Sequence, residues 1–208
     1  MIIGNLTTIS DKFHGYEQCL TKCIEKEWNQ IKSKISNNDL EKDISKRLFT
    51  NLKNNKELRR IGIPTIEYML VDKDKKGDPV TKGFIDIAIL IDEYRDPDTY
   101  IAYECKRLSL NKNGKWASLA GKYASEGISR YVRAQYAHKL PVGCMLGYVM
   151  DGDLSKARKA VISVINDNKI NLMLTEHKDG ESPHRFVSRH SQVTKSNSIS
   201  VVHTLLAV

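Results

Sequence analysis

The sequence predicts one α/β domain spanning residues 1–208, with a helical extension at its N-terminus. Three observations carry this. Residues 1–58 are polar and lysine-rich, with apolar side chains recurring at helical spacing. Residues 65–108 hold three apolar, β-branched runs separated by brief charged turns. Beyond them a helix-like segment leads into a further apolar run at residues 142–150, the order expected of a crossover onto the same sheet. A chain of 208 residues with 40% apolar content can bury one ordinary core and is too apolar to be disordered throughout. No repeat, low-complexity tract or linker divides it.

The elements follow in order. Leu20, Ile24, Trp28, Ile31 and Ile35 recur at spacings of three and four and predict an amphipathic helix. Asn38 or Asp39 can cap a second helix carrying Leu40, Ile44, Leu48 and Leu52, which closes the extension near residue 58. Residues 65–72 (TIEYMLVD), 83–91 (GFIDIAILI) and 99–108 (TYIAYECKRL) read as strands. Their short connections predict an antiparallel meander. The middle strand is apolar on both parities, as a central strand covered on both faces must be. Residues 109–115 read as a loop, residues 116–139 as a helix ended by Pro141, and residues 142–150 (VGCMLGYVM) as the next strand. Residues 59–150 thus form the core. Residues 151–208 add a helix, capped by Asp151 or Asp153 and carrying Leu154, Ala157, Val161, Val164 and Ile165, then strand-like runs at 170–176 and 198–208. A polar segment with His184, Arg185, Arg189 and His190 lies between those runs.

Charge narrows the partners. Lys and Arg number 33 against 25 Asp and Glu, a net charge of +8 that favours a polyanion, nucleic acid before membrane. No run approaches the roughly 20 apolar residues of a membrane-spanning helix, and residues 1–10 lack the pattern of a signal peptide. The four cysteines form no CxxC pair and no disulfide framework, so reduced thiols in a cytoplasmic protein are expected.

The chemistry lies in the most apolar part of the chain. Asp86 interrupts Phe84-Ile85-Asp86-Ile87-Ala88-Ile89, and Glu104 and Lys106 follow Ile101-Ala102-Tyr103. A charge in a dry interior costs several kcal/mol, so each needs a partner, a metal or a cleft. Strand residues two apart share a face, which projects Glu104 and Lys106 together and turns the Cys105 side chain away. If the second and third strands pair through their turn, Asp86 lies near Glu104. Two adjacent carboxylates repel, and a divalent cation relieves that repulsion. An oxygen-only set favours Mg²⁺ or Mn²⁺ over zinc. The rival reading is a buried salt bridge of Lys106 with Asp86 or Glu104, an arrangement that rarely needs two carboxylates.

Asp86, seventeen intervening residues, then Glu104-Cys105-Lys106 resembles the PD-(D/E)xK nuclease superfamily, the restriction-endonuclease-like fold. The αβββαβ core of that family, a central mixed β-sheet flanked by helices, matches the order of elements from about residue 38 to residue 150. Ile85 stands where the motif name has proline. The resemblance implies Mg²⁺-dependent hydrolysis of phosphodiester bonds, with Mn²⁺ as substitute. DNA is the expected substrate, RNA is left open, and endonucleolytic cutting is favoured. Asp86 and Glu104 would bind the metal, joined by the backbone carbonyl of Cys105, while Lys106 would orient the attacking water and stabilise charge on the phosphorane. A homodimer or a protein partner would supply specificity in restriction, repair or phage defence. The alternative is an inactive nuclease-fold module that binds nucleic acid or protein.

Further candidates come from the same resemblance. Members carry an acidic residue on the helix before the sheet, a place Glu41 occupies; a solvated first-turn glutamate is the competing reading. Glu67 in the first strand can face the cleft as a further metal ligand or stand in solvent. Gln135 shares a stripe with Ile128, Tyr131 and Val132 and is the expected polar contribution of the later helix. Lys122 and Arg130 can reach phosphate, or form an ordinary basic face with an i,i+4 pair between Glu126 and Arg130. Other chemistries fit poorly. Six residues separate Gly114 from Gly121 and Tyr123 follows Lys122, which misses the phosphate-loop pattern. The six histidines are dispersed, and none lies near Cys105 to activate it.

Overall fold

Thr8 starts the first helix, α1 (Ile9–Ile31), through a capping box. Its hydroxyl accepts the Asp11 N–H at 3.2 Å and the Asp11 carboxylate accepts the Thr8 N–H at 3.1 Å. The computed structural model describes residues 8–167, 169–178, 182–193 and 198–208, so most of residues 1–10, which lack the pattern of a signal peptide, lies outside the described residues. The helix begins well before residue 20 because Phe13 and Glu17 extend its buried stripe by two turns. Helix α2 (Glu41–Leu52) buries Ile44, Leu48 and Leu52 as expected. Neither Asn38 nor Asp39 caps it: Leu40 is the capping residue, without a side-chain bond, and the Asp39 carboxylate instead accepts the Ser36 N–H at 2.9 Å.

Strands β1 (Gly62–Lys73), β2 (Pro79–Ile91) and β3 (Tyr100–Arg107) form the expected antiparallel meander. The next stretch differs from expectation. Residues 109–118 form a hairpin, β4 (Ser109–Lys112) and β5 (Lys115–Ser118), and Trp116 lies in a strand. Asn113 and Gly114 hold φ of 53° and 78°, the left-handed pair that an Asn-Gly hairpin turn requires. The helix then runs only through α3 (Ala120–Lys122), a π-helical turn (Tyr123–Ile128) and α4 (Ser129–Val132). Past it the chain folds back with Ala134 and Ala137 at positive φ, which places Tyr136 and Ala137 in the core. Strand β6 (Val142–Val149) follows, then α5 (Leu154–Asn166), whose cap Asp153 accepts the Lys156 N–H at 2.9 Å.

Strands β7 (Leu174–Lys178), β8 (Arg185–Ser191) and β9 (Ser198–Ala207) complete one sheet of order β1-β2-β3-β6-β9-β8-β7. The sheet is mixed: β3, β6 and β9 run parallel and the remaining pairs antiparallel. Strand β8 was hidden in the sequence because two of its inward positions are polar. Ser188 and His190 are buried beside Phe186 in a directed chain of hydrogen bonds. His190 Nδ1 donates to Leu172 O at 2.7 Å, which leaves Nε2 to accept from Ser188 Oγ at 2.7 Å. His203 Nε2 must then donate to Ser188 Oγ, and Tyr123 OH to His203 Nδ1.

Both faces of the sheet's centre are covered, as the apolar run of the middle strand implied, while the outer parts of β1 and β2 leave Met69, Val71 and Phe84 exposed. Ile87, Ile89, Ile101, Tyr103 and Cys105 pack with Leu20, Ile24, Trp28, Ile44 and Leu48 of α1 and α2. Ala88, Ala102, Met145 and Val201 pack with Tyr123, Ile128 and Tyr131 of the later helical segment and Val161 of α5. All four cysteines are free, and no helix among the described residues is long and apolar enough to cross a membrane.

The sheet forks at one point. Pairing of β2 with β3 runs from Leu90↔Tyr100 to Ile87↔Tyr103 and stops there. Beyond it β3 continues beside β6, from Tyr103↔Cys144 to Arg107↔Tyr148, while β2 continues beside β1. One contact anchors the helical segment that faces this fork. Tyr131 donates to Ala102 O at 3.0 Å and Cys144 O at 2.7 Å, and its ring lies directly over Gly143, where an added Cβ would meet Tyr131 Cδ1 at 2.4 Å. Gly143→Ala is therefore expected to destabilise the fold by about 1–3 kcal/mol, measured by urea unfolding, because neither the backbone nor the tethered ring can yield cheaply.

Candidate active site

The fork strands a backbone donor, and a carboxylate takes it. Where the β2–β3 ladder ends, Asp86 Oδ2 accepts the Cys105 N–H at 2.8 Å. Continuing the register by one residue sets Asp86 across from Glu104. Between them sits the Lys106 ammonium, 2.7 Å from Glu104 Oε1, 4.0 Å from Asp86 Oδ2 and 2.9 Å from the Cys105 carbonyl. Glu104 is fully buried, and the Lys106 side chain is only 10% exposed. Asp86 is one-third exposed and lines an open cleft of about 420 Å³ with Glu41, Lys42, Glu67 and Phe84.

Glu41 belongs to the cluster and is not a solvated first-turn residue. Its Oε1 lies 3.1 Å from Lys106 Nζ, and its Oε2 accepts the Arg107 N–H at 2.8 Å. Arg107 Nη1 in turn donates to Asp39 O at 2.9 Å, so α2 is tied to the end of β3. Arg130 also joins, though by a contact no sequence spacing announces. Its Nη1 lies 3.1 Å from Glu104 Oε2 and 3.0 Å from Oε1, and donates to Tyr136 OH. The competing reading, an i,i+4 pair with Glu126 on an ordinary basic face, is not met among the described residues, because the π-helical turn breaks that geometry. Tyr136 donates to Phe84 O at 2.5 Å and so holds the strand that carries Asp86.

The remaining candidates stand apart. Gln135 lies past the helix end and its Nε2 donates to Lys82 O at 2.6 Å; it does not reach the cluster, since the helix expected to aim it stops at Val132. Glu67 lines the cleft but pairs with Lys42 at 2.5 Å, and its φ of 49° marks a distortion of β1 opposite Asp86. Lys122 is exposed and outside the cluster. Tyr136, which the sequence analysis missed, gave no signal of its own: its role depends on the chain reversing after Val132.

Burial and mutual repulsion govern the charges. Burial, then the neighbouring Asp86 carboxylate, push Glu104 up to about 7, against the pull of Lys106 and Arg130. Burial also raises Asp86, opposed by Lys106 and the Cys105 N–H. For Lys106 burial acts downward, but Glu104 and Glu41 outweigh it and hold the ammonium above its ordinary range. The lysine therefore stays charged, while Glu104 binds its proton unusually firmly.

The donors fit a hard divalent cation. Glu104 Oε1 is buried and held by Lys106 at 2.7 Å and Arg130 at 3.0 Å, and Asp86 and the Cys105 carbonyl add oxygen at the same fork. No group of three or more His, Cys, Asp or Glu among the described residues is arranged as a metal cluster. Any ion here would take two carboxylates and a carbonyl, with water or substrate oxygens completing its shell, as Mg²⁺ prefers. Comparison with protein-family models, with curated proteins and with solved structures found no match.

The raised Glu104 pKa fixes a sign. A carboxyl that titrates near 7 folded but near 4.5 unfolded stabilises the fold fully below about pH 4.5 and loses that contribution as pH rises through 7. In EDTA, the wild-type melting temperature is expected to fall between pH 5 and 8 more steeply than that of Glu104→Gln. Parallel melting curves across that window would show that Glu104 titrates normally.

Proposed function

We propose that this chain is a metal-dependent nuclease of the PD-(D/E)xK type, hydrolysing phosphodiester bonds in DNA. The observation that carries the reading is the meeting of Asp86, Glu104, Lys106 and the Cys105 carbonyl where two apolar strands part. A buried cluster with more carboxylates than cations is a costly way to brace a sheet and a serviceable way to seat a divalent ion. The element order, helix, three-strand meander, helical crossover and parallel strand, is what that fold requires. The net charge of +8 suits a phosphate backbone.

Asp86, Glu104 and the Cys105 carbonyl would hold Mg²⁺ or Mn²⁺. When bound, such an ion acidifies water and offsets phosphate charge. The protein's own groups do the rest. Lys106, fixed by Glu104, Glu41 and the Cys105 carbonyl, keeps its proton and presents a cation to the attacking water and to charge developing on the phosphoryl oxygens. Glu41 sets the position of that ammonium. The cleft along Glu41, Lys42, Phe84 and Asp86 gives the backbone a path to the fork.

One observation favours a second reading, an inactive module that binds nucleic acid or protein: Glu104 is wholly buried and already engaged by two cations. A single set of assays separates the two. Purified protein is expected to cut circular or linear DNA in Mg²⁺ or Mn²⁺, and not in EDTA. Lys106→Ala and Asp86→Asn are expected to lower the rate by about 10²-fold or more. Salt-sensitive DNA binding with no cutting and no metal uptake would instead establish the module, and variants that cut as well as wild type would refute the assigned roles.

A further inference from the structure

We infer that Arg130 is an exchangeable latch on Glu104. Without nucleic acid it bridges both carboxylate oxygens, and a substrate phosphate draws it off, so that cation and substrate load cooperatively. The inference rests on the nuclease reading and adds a regulation of the same site.

Glu104 has two cationic partners with unequal freedom. Lys106 is 10% exposed and fastened by Glu41 at 3.1 Å and the Cys105 carbonyl at 2.9 Å, so it cannot leave without dismantling the fork. Arg130 is 33% exposed, and among the described residues Glu104 is the carboxylate it pairs with. Its Nη1 lies 3.0 and 3.1 Å from the two oxygens and so engages both of the atoms through which Glu104 could hold an ion. Glu104 itself has no exposed surface. A cation therefore gains full access to it only when Arg130 moves.

The destination is chemically defined. The hydrogen bonds of the Arg130 guanidinium to described residues all leave from Nη1, so most of its planar fork of donors is unspent. A guanidinium binds phosphate as well as it binds carboxylate, through paired N–H donors. Its carbon already sits 5.3 Å from the centre of the Tyr136 ring, a face over which it can swing and remain stacked. Exchange from a carboxylate to an incoming phosphodiester thus keeps the arginine paired while releasing Glu104. Since linkage is reciprocal, whatever factor the substrate adds to metal affinity, the metal adds to substrate affinity.

The test is titration of the full-length protein with Mn²⁺ by calorimetry, alone and with a phosphorothioate oligonucleotide that resists cutting. Wild type is expected to bind Mn²⁺ roughly tenfold more tightly with the oligonucleotide than without it. Arg130→Met is expected to bind Mn²⁺ alone roughly tenfold more tightly than wild type and to lose most of the enhancement. Arg130→Lys, which keeps the charge but not the fork, is expected to fall between, and it serves also if the methionine variant fails to fold. Unchanged Mn²⁺ affinity in both variants, with the enhancement intact, would overturn the latch and assign the cooperativity to a shared phosphate ligand. Glu104→Gln separates the two levels of the argument. If it leaves Mn²⁺ binding untouched, the metal site itself fails; if it abolishes binding while the arginine variants match wild type, only the latch fails.

Discussion

A lysine ammonium buried among three carboxylates is the constraint around which this molecule is organised. Lys106 lies within 2.7 to 4.0 Å of Glu104 on its own strand, Asp86 on the neighbouring strand and Glu41 on α2. Such a cluster cannot be left half-assembled, because an unpaired charge in this interior costs several kcal/mol. The surroundings comply. Helix α2 is tied to the end of β3 through Glu41 and Arg107, Asp86 satisfies the Cys105 N–H, and Tyr136 holds the Phe84 carbonyl. Each bond fixes one wall of the cleft to another.

The fork explains why these groups can coexist with an apolar core. Where β2 and β3 pair continuously, their side chains are apolar and covered on both faces. Where the pairing ends, a buried backbone donor is left without a ladder partner and a polar side chain becomes necessary rather than costly. Asp86 meets that need and, in doing so, stands beside Glu104. The cleft opens at the same place, and Glu67 of β1, whose backbone is left-handed, lines it. A satisfied donor and a concentration of charge thus share one cause.

The second half of the sheet has a different role. Strands β8 and β9 carry a chain of hydrogen bonds from Tyr123 through His203 and Ser188 to His190, and burial keeps both histidines neutral, His190 titrating at about 4. Tyr123 opens the π-helical turn that leads to Arg130. The network therefore ties the start of this helical segment to the sheet.

The sequence by itself determined the α/β class, the three-strand meander, the two-sided burial of the second half of β2 and the Asp86, Glu104 and Lys106 set. These follow from alternation, turn residues and the cost of a charge in an apolar strand, all of which are local. It misplaced what depends on distant partners. The hairpin at residues 109–118 announced itself through Asn113-Gly114, but a loop reading hid it; the end of the later helix at Val132, and with it the place of Gln135, was decided by the burial of Tyr136 and Ala137. Strand β8 escaped because its inward serine and histidine are satisfied only by Leu172 and His203 across the sheet. Only the tertiary structure decided that Glu41 grips Lys106 and that Arg130 bridges Glu104. Neither spacing nor polarity encodes which buried charges meet, since that depends on where the strands part and how the helices are brought over them.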